Sequence, residues 1–209
     1  RCGMVNARRT ALAPVLAILL AALSAFLWPA FAAEEVDLLL VLSADVSRSV
    51  DQPKFQLQRE GYAAAISNPR VLDAISSGPH RRIAICFVEW SGAGNQKLVI
   101  DWTLIDSAEA ARKFSDALVE APRSFADRTS ISGGIDFSVA QLERAPFESR
   151  RKTIDISGDG THNSGRGLDS ARAEALAKGI TINGLVILSE RPLPWNPEHT
   201  NPQGGLANY

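Results

Sequence analysis

The run Val36 to Leu42 (VDLLLVL) has one polar side chain in seven residues, too few for a strand with one face in water. A near-continuous apolar run of that length is how a strand covered on both faces reads. Arg82 to Trp90 is a second run of this kind. Thr153 to Ser157 and Ile180 to Leu188 (ITINGLVIL) are two more strand candidates. Lys97 to Leu104 alternates instead, and reads as an edge strand after the turn Gly92-Ala93-Gly94-Asn95. Helical stretches fall between these runs. One opens at Asp51-Gln52-Pro53 and extends to about Ser67, with Phe55, Tyr62 and Ile66 at core spacing. Ser107 caps a second, which carries Ala111, Phe114 and Leu118 on one face. Ile131, Ile135, Val139 and Leu142 mark a third. Leu168 to Lys178 is a fourth, closed by Gly179. Strands alternating with helices predict an α/β fold, a doubly wound, mostly parallel sheet with helices on both faces.

The 209 residues suffice for one domain and an appendage. The appendage is expected at the front. Arg8 and Arg9, the apolar run Ala11 to Trp28 and the small-x-small sequence Ala30-Phe31-Ala32 form the pattern of a secretory signal peptide over residues 1–32. The alternative for that run is an uncleaved membrane anchor. Cleavage would leave residues 33–209 as the domain, with 19 basic residues against 23 acidic. The protein is therefore expected to be exported, periplasmic or secreted, with no stable membrane insertion after cleavage. An acidic balance excludes nucleic acid as a partner, since phosphate binding wants a basic surface. Cys86 is the one cysteine outside the leader. It sits in an apolar strand, so it reads as a small buried hydrophobe and no internal disulfide is expected. After Leu188 the chain turns proline-rich (Pro192, Pro194, Pro197, Pro202) and lacks the strand and helix that would finish the outer layer. That end reads as cut short.

Three loops carry oxygen side chains at the ends of predicted strands or the start of a helix. Asp45-Val46-Ser47-Arg48-Ser49 follows the first buried strand, and extended backbone would point Asp45, Ser47 and Ser49 the same way. Asp127-Arg128-Thr129-Ser130 precedes a helix. Ser157-Gly158-Asp159-Gly160 follows a strand. In open α/β sheets ligands bind outside the carboxyl ends of the strands. Two carboxylates and three hydroxyls make an all-oxygen set suited to a hard ion such as Mg²⁺, Mn²⁺ or Ca²⁺. No Cys/His cluster offers a zinc site. Each piece alone also reads as a capped turn, because Asp, Ser and Thr favour loops and helix starts. Their common placement favours a site.

The segments DVSRS, RTS and SGDG resemble the metal-ion-dependent adhesion site of von Willebrand factor type A domains, over about Val36 to Leu188. The fuller pattern VLSADVSRSVD, FADRTSISGGIDF and IDISGDGTHNSG looks like the bacterial exported family called domain of unknown function 1194. The resemblance implies one divalent cation, Mg²⁺ before Mn²⁺ or Ca²⁺. Ser47, Ser49 and Thr129 would touch it directly, and Asp45 and Asp159 would act mostly through water. It also implies an acidic group of a protein partner as the sixth ligand, and no catalysis. One departure is Ser157-Gly158, where the family usually has a hydrophobic-Thr pair. The competing enzyme reading is a Mg²⁺-dependent phosphatase of the haloacid dehalogenase type. It needs a second acid two residues after Asp45, where Ser47 stands, and another carboxylate near Asn163.

The remaining polar features read as structural. His162 is expected in a solvated loop, and Arg150-Arg151-Lys152 as a solvated turn. Asp155, between Ile154 and Ile156, is expected to be buried and hydrogen-bonded. Gly133-Gly134 inside a helix implies close packing on the sheet. Trp90 and Trp102 read as core or sheet-edge residues.

Overall fold

The computed structural model describes residues 33–188. Residues 1–32, expected from the sequence to be a signal peptide, and the proline-rich end lie outside them. The chain order is β1 (Glu34–Glu35), β2 (Leu39–Asp45), α1 (Gln52–Ile66), α2 (Pro69–Ser76), β3 (Ile83–Trp90), β4 (Gln96–Ile105), α3 (Ala108–Glu120), α4 (Ile131–Glu143), β5 (Phe147–Glu148), β6 (Lys152–Gly158), α5 (Leu168–Ala177) and β7 (Ile180–Val186). Five strands form the main sheet in the order β4-β3-β2-β6-β7. All neighbours are parallel except β4, which runs antiparallel to β3 at the edge. β1 and β5 make a separate two-stranded parallel pair.

Side-chain alternation along the strands separates two cores. Leu39 and Val41 on β2, with Ala84, Cys86, Val88 and Trp90 on β3, face α4 and α5, where they meet Ile135, Leu142, Ala171 and Ala175. Leu42, Ile83, Ile85 and Phe87 face α1 and α3, where they meet Tyr62, Ile66, Phe114 and Leu118. The apolar runs of β2 and β3 thus have helices on both sides, as their composition requires.

The helix ends follow the expected chemistry. Asp51 caps α1, its carboxylate accepting from Lys54 N at 3.0 Å, and Ser107 caps α3. Gly179 ends α5 at φ +72°, a left-handed conformation that glycine adopts without strain. The glycine pair in α4 does mark close packing. A Cβ on Gly134 would stand 2.9 Å from three atoms of the Trp90 ring, and one on Gly133 would stand 2.7 Å from Gln96 Nε2. Trp90 is core, while Trp102 is half-buried with its indole N–H directed to Gln141 O. Cys86 is buried and free, and burial pushes its thiol pKa up.

Two expectations need correction. Asp155 is half-buried, not buried. It lies on the α1 side of the sheet, and Asn183, its register partner on β7, donates to it at 2.7 Å. Leu185 and Leu188 are exposed. His162 is half-buried as well, and its ring bonds Arg166 O at 2.9 Å within its own loop.

Candidate functional site

The site forms where the sheet order reverses. From β2 the chain crosses to β3 on one side and later to β6 on the other, so the C-terminal ends of β2 and β6 diverge into a crevice. Asp45 ends β2, and Asp159 follows β6 directly. Ala44 and Ser157 are paired in register just below them. Thr129 comes from the loop before α4.

All five residues proposed from sequence meet here, and each is buried. The Ser47 and Ser49 hydroxyls stand 3.1 Å apart. Thr129 Oγ1 lies 3.2 Å from Ser47 Oγ. Ser49 Oγ donates to Asp159 Oδ1 at 2.5 Å. Ser47 N donates to Asp45 Oδ1 at 2.7 Å. The convergence arises differently from the expected extended spacing. After Asp45 the chain bends into a turn closed by Val50 N to Ser47 O at 3.1 Å. The turn brings Ser47 and Ser49 together and sends Val46 and Val50 into a small apolar cluster with Phe55 and Phe125. Arg48 is left exposed.

Other residues hold this geometry. Arg123 donates to the carbonyls of Val46, Ser47 and Val50 at 2.6–2.8 Å, so one guanidinium clamps the whole turn. Asn163 ties Thr129 to the loop after β6: its side chain accepts from Thr129 N at 3.0 Å, and its N–H donates to Thr129 O at 2.9 Å. Ser130, not Thr129, caps α4, accepting from Gly133 N at 3.2 Å. Beneath the site Arg59 and Glu89 form a buried ion pair at 2.5 Å, with Arg59 stacked over Phe87 and also donating to Leu118 O. Glu89 Oε2 accepts from Ser124 N, on the strap that carries Arg123.

Lys54 was not legible as a site residue. It lies in the first turn of α1, is only 7% exposed, and its ammonium contacts Asp159 Oδ2 at 2.6 Å and Ser49 O at 3.0 Å. In the sequence it looks like any lysine on a surface helix. The only hint is its distance of five residues from Ser49.

The electrostatics are strained in one respect. Burial pushes the Asp45 carboxyl up to about 7, opposed by hydrogen bonds from Ser47 and reinforced by the nearby Asp159 carboxylate. The Asp159 backbone N–H also faces the Asp45 carboxyl, whose Oδ2 is buried without a hydrogen bond of ordinary geometry. A buried carboxylate oxygen in this position asks for a cation or an ordered water. The hydroxyl spacings of 3.1 and 3.2 Å fall between those of a small and a larger octahedral ion. Adjacent ligands of an octahedral ion with bonds of about 2.0–2.1 Å stand about 2.9 Å apart, whereas Ca²⁺ bonds of about 2.3–2.6 Å give about 3.3–3.7 Å. The residues present, all oxygen donors, therefore fit a hard divalent ion. No group of three or more His, Cys, Asp or Glu side chains placed to hold a metal occurs among the described residues.

Residues 35–203 match the family described as protein of unknown function (DUF1194). The chain belongs to this family. No curated protein matches the sequence. Among solved structures, proximal thread matrix protein 1 of the mussel byssus superposes with a TM-score of 0.56 at 14% identity, over 75% of this chain and 39% of that one. A form of the same protein with a zinc-occupied MIDAS motif gives 0.55 at 15% identity, with coverage of 75% and 39%. The pilus adhesin SpaC of Lactobacillus rhamnosus GG gives 0.52 at 12% identity, over 74% of this chain and 25% of that one. This family member thus has the α/β fold of von Willebrand factor type A domains, and it spans well under half the length of the solved chains it matches.

Proposed function

We propose that the domain is a metal-ion-dependent binding module of an exported protein, periplasmic or secreted, which recognises an acidic group on a protein partner through a bound divalent cation. Ser47, Ser49 and Thr129 would ligate the ion directly, with Asp45 and Asp159 behind them. The observation that carries the reading is the triplet of buried hydroxyls at 3.1 and 3.2 Å, supplied by two separate loops and backed by two buried carboxylates. Hydroxyl ligands leave an ion electron-poor and open to a carboxylate from outside. Mg²⁺ is the first choice by the resemblance of the motif, and the all-oxygen donor set also suits Mn²⁺ or Ca²⁺. The likeness to an adhesin and a matrix protein supports a binding role over catalysis, and Ser47 stands where a phosphatase would need its acid. No helix among the described residues is long and apolar enough to cross a membrane.

Titration calorimetry with Mg²⁺ and Mn²⁺ tests the reading. One ion per chain is expected, with Asp159→Ala weakening binding at least tenfold, because it removes one of only two carboxylates. A folded sample that takes up neither ion at millimolar concentration would refute it.

A further inference from the structure

We infer that Lys54 is a resident cation of the site, which makes binding of the divalent ion and binding of an anionic group depend on each other. The inference rests on the metal-binding reading above.

The Lys54 ammonium reaches the two features that organise the site, Asp159 Oδ2 at 2.6 Å and the carbonyl of Ser49 at 3.0 Å. Its side chain is almost wholly removed from water, and that of Asp159 wholly so. A surface lysine pairing opportunistically would keep its head in solvent. The position is also unfavourable for a cation in isolation, since the first turn of a helix carries the positive end of the macrodipole. Asp159 and the Ser49 carbonyl hold the ammonium there nevertheless.

The consequence follows from charge. Around a bound ion both carboxylates are ionised, and Asp45, Asp159 and Lys54 together contribute one negative charge. A divalent ion turns that into one positive charge in a buried, weakly screened place. Without Lys54 the ion would be neutralised by the carboxylates alone. Lys54 therefore weakens uptake of the bare ion, and a carboxylate arriving as an outer ligand removes the excess positive charge. Ion and anion then bind together better than either does alone, as reciprocal linkage requires.

The test is Mn²⁺ titration of the full protein and its Lys54→Met variant, with and without excess acetate as the carboxylate probe, alongside thermal melts. The variant should bind Mn²⁺ at least tenfold more tightly than the wild type in the absence of acetate. Acetate should tighten Mn²⁺ binding in the wild type by several fold, and by less in the variant. The metal-free variant should melt at lower temperature, because Asp159 has lost its cation, and Mn²⁺ should restore it by more than it stabilises the wild type. Lys54→Gln, which keeps a polar head without the charge, serves if Lys54→Met does not fold, and should show the same direction. Equal or weaker Mn²⁺ binding in the variants overturns the role of Lys54 and leaves the metal site standing. Absence of Mn²⁺ binding in every form overturns both.

Discussion

Thr129 and Ser130 are adjacent hydroxyl residues with separate duties. The sequence leaves open whether Thr129 caps the helix after it or faces a ligand. Ser130 takes the cap, and Thr129 Oγ1 points to Ser47 Oγ at 3.2 Å. Ser130→Ala should therefore cost about 1 kcal/mol of stability, the usual loss of a cap. Thr129→Ala should leave the melting temperature nearly unchanged and lower divalent-ion affinity at least tenfold. Calorimetry and thermal melts on the same two samples check both, and the reverse pattern would remove Thr129 from the site. At this scale the oxygens were legible because Asp, Ser and Thr at strand ends form a recognisable spacing. Lys54, Arg123 and Asn163 were not. Lys54 to Asp159, Arg123 to the turn after β2 and Asn163 to Thr129 are contacts across 105, 73–77 and 34 residues of chain, and no local pattern announces a contact of that kind.

The elements that position the site are β2, β6 and α4, and α4 packs at close range on Trp90 of β3. α4 reaches the sheet only because Gly134 leaves room for the Trp90 ring. Gly134→Ala should destabilise the fold by about 1–3 kcal/mol through overpacking, despite the better helix propensity of alanine. Urea denaturation measures it, and a stabilised variant would show that the contact is slack. The Arg59–Glu89 pair acts similarly for α1 and the strap from Ser124. Glu89→Ala should cost about 3–5 kcal/mol, because it strands a buried guanidinium whose pKa burial already lowers. A loss below 1 kcal/mol in the same denaturation assay would contradict that. The long elements were readable from their periodicity, including β4 as an edge strand, with Pro53 marking the start of α1 and Ser107 the cap of α3. The two-residue strands β1 and β5 were not, since two residues carry no period, and α2 was missed although Asn68 and Pro69 mark its start. Asp155 was misjudged for a related reason. Flanking isoleucines indicate one buried face of β6, and leave undetermined whether anything covers the other.

On the scale of the whole domain, the doubly wound order puts the β2 and β6 ends on either side of the switch point, and three loops with no sequence proximity deliver five buried oxygen-bearing side chains there. The fold follows from strand burial and helix alternation, and the position of the site follows from the fold. The central claim is that those side chains surround one divalent ion. Crystals of the protein grown with Mn²⁺, with diffraction collected at the manganese edge, test it most directly. One anomalous peak is expected, at ordinary Mn²⁺–oxygen bonding distance from Ser47 Oγ, Ser49 Oγ and Thr129 Oγ1, with the Asp45 and Asp159 carboxylates in the next layer. A well-ordered site without a peak, or a peak bound elsewhere on the domain, would contradict the account.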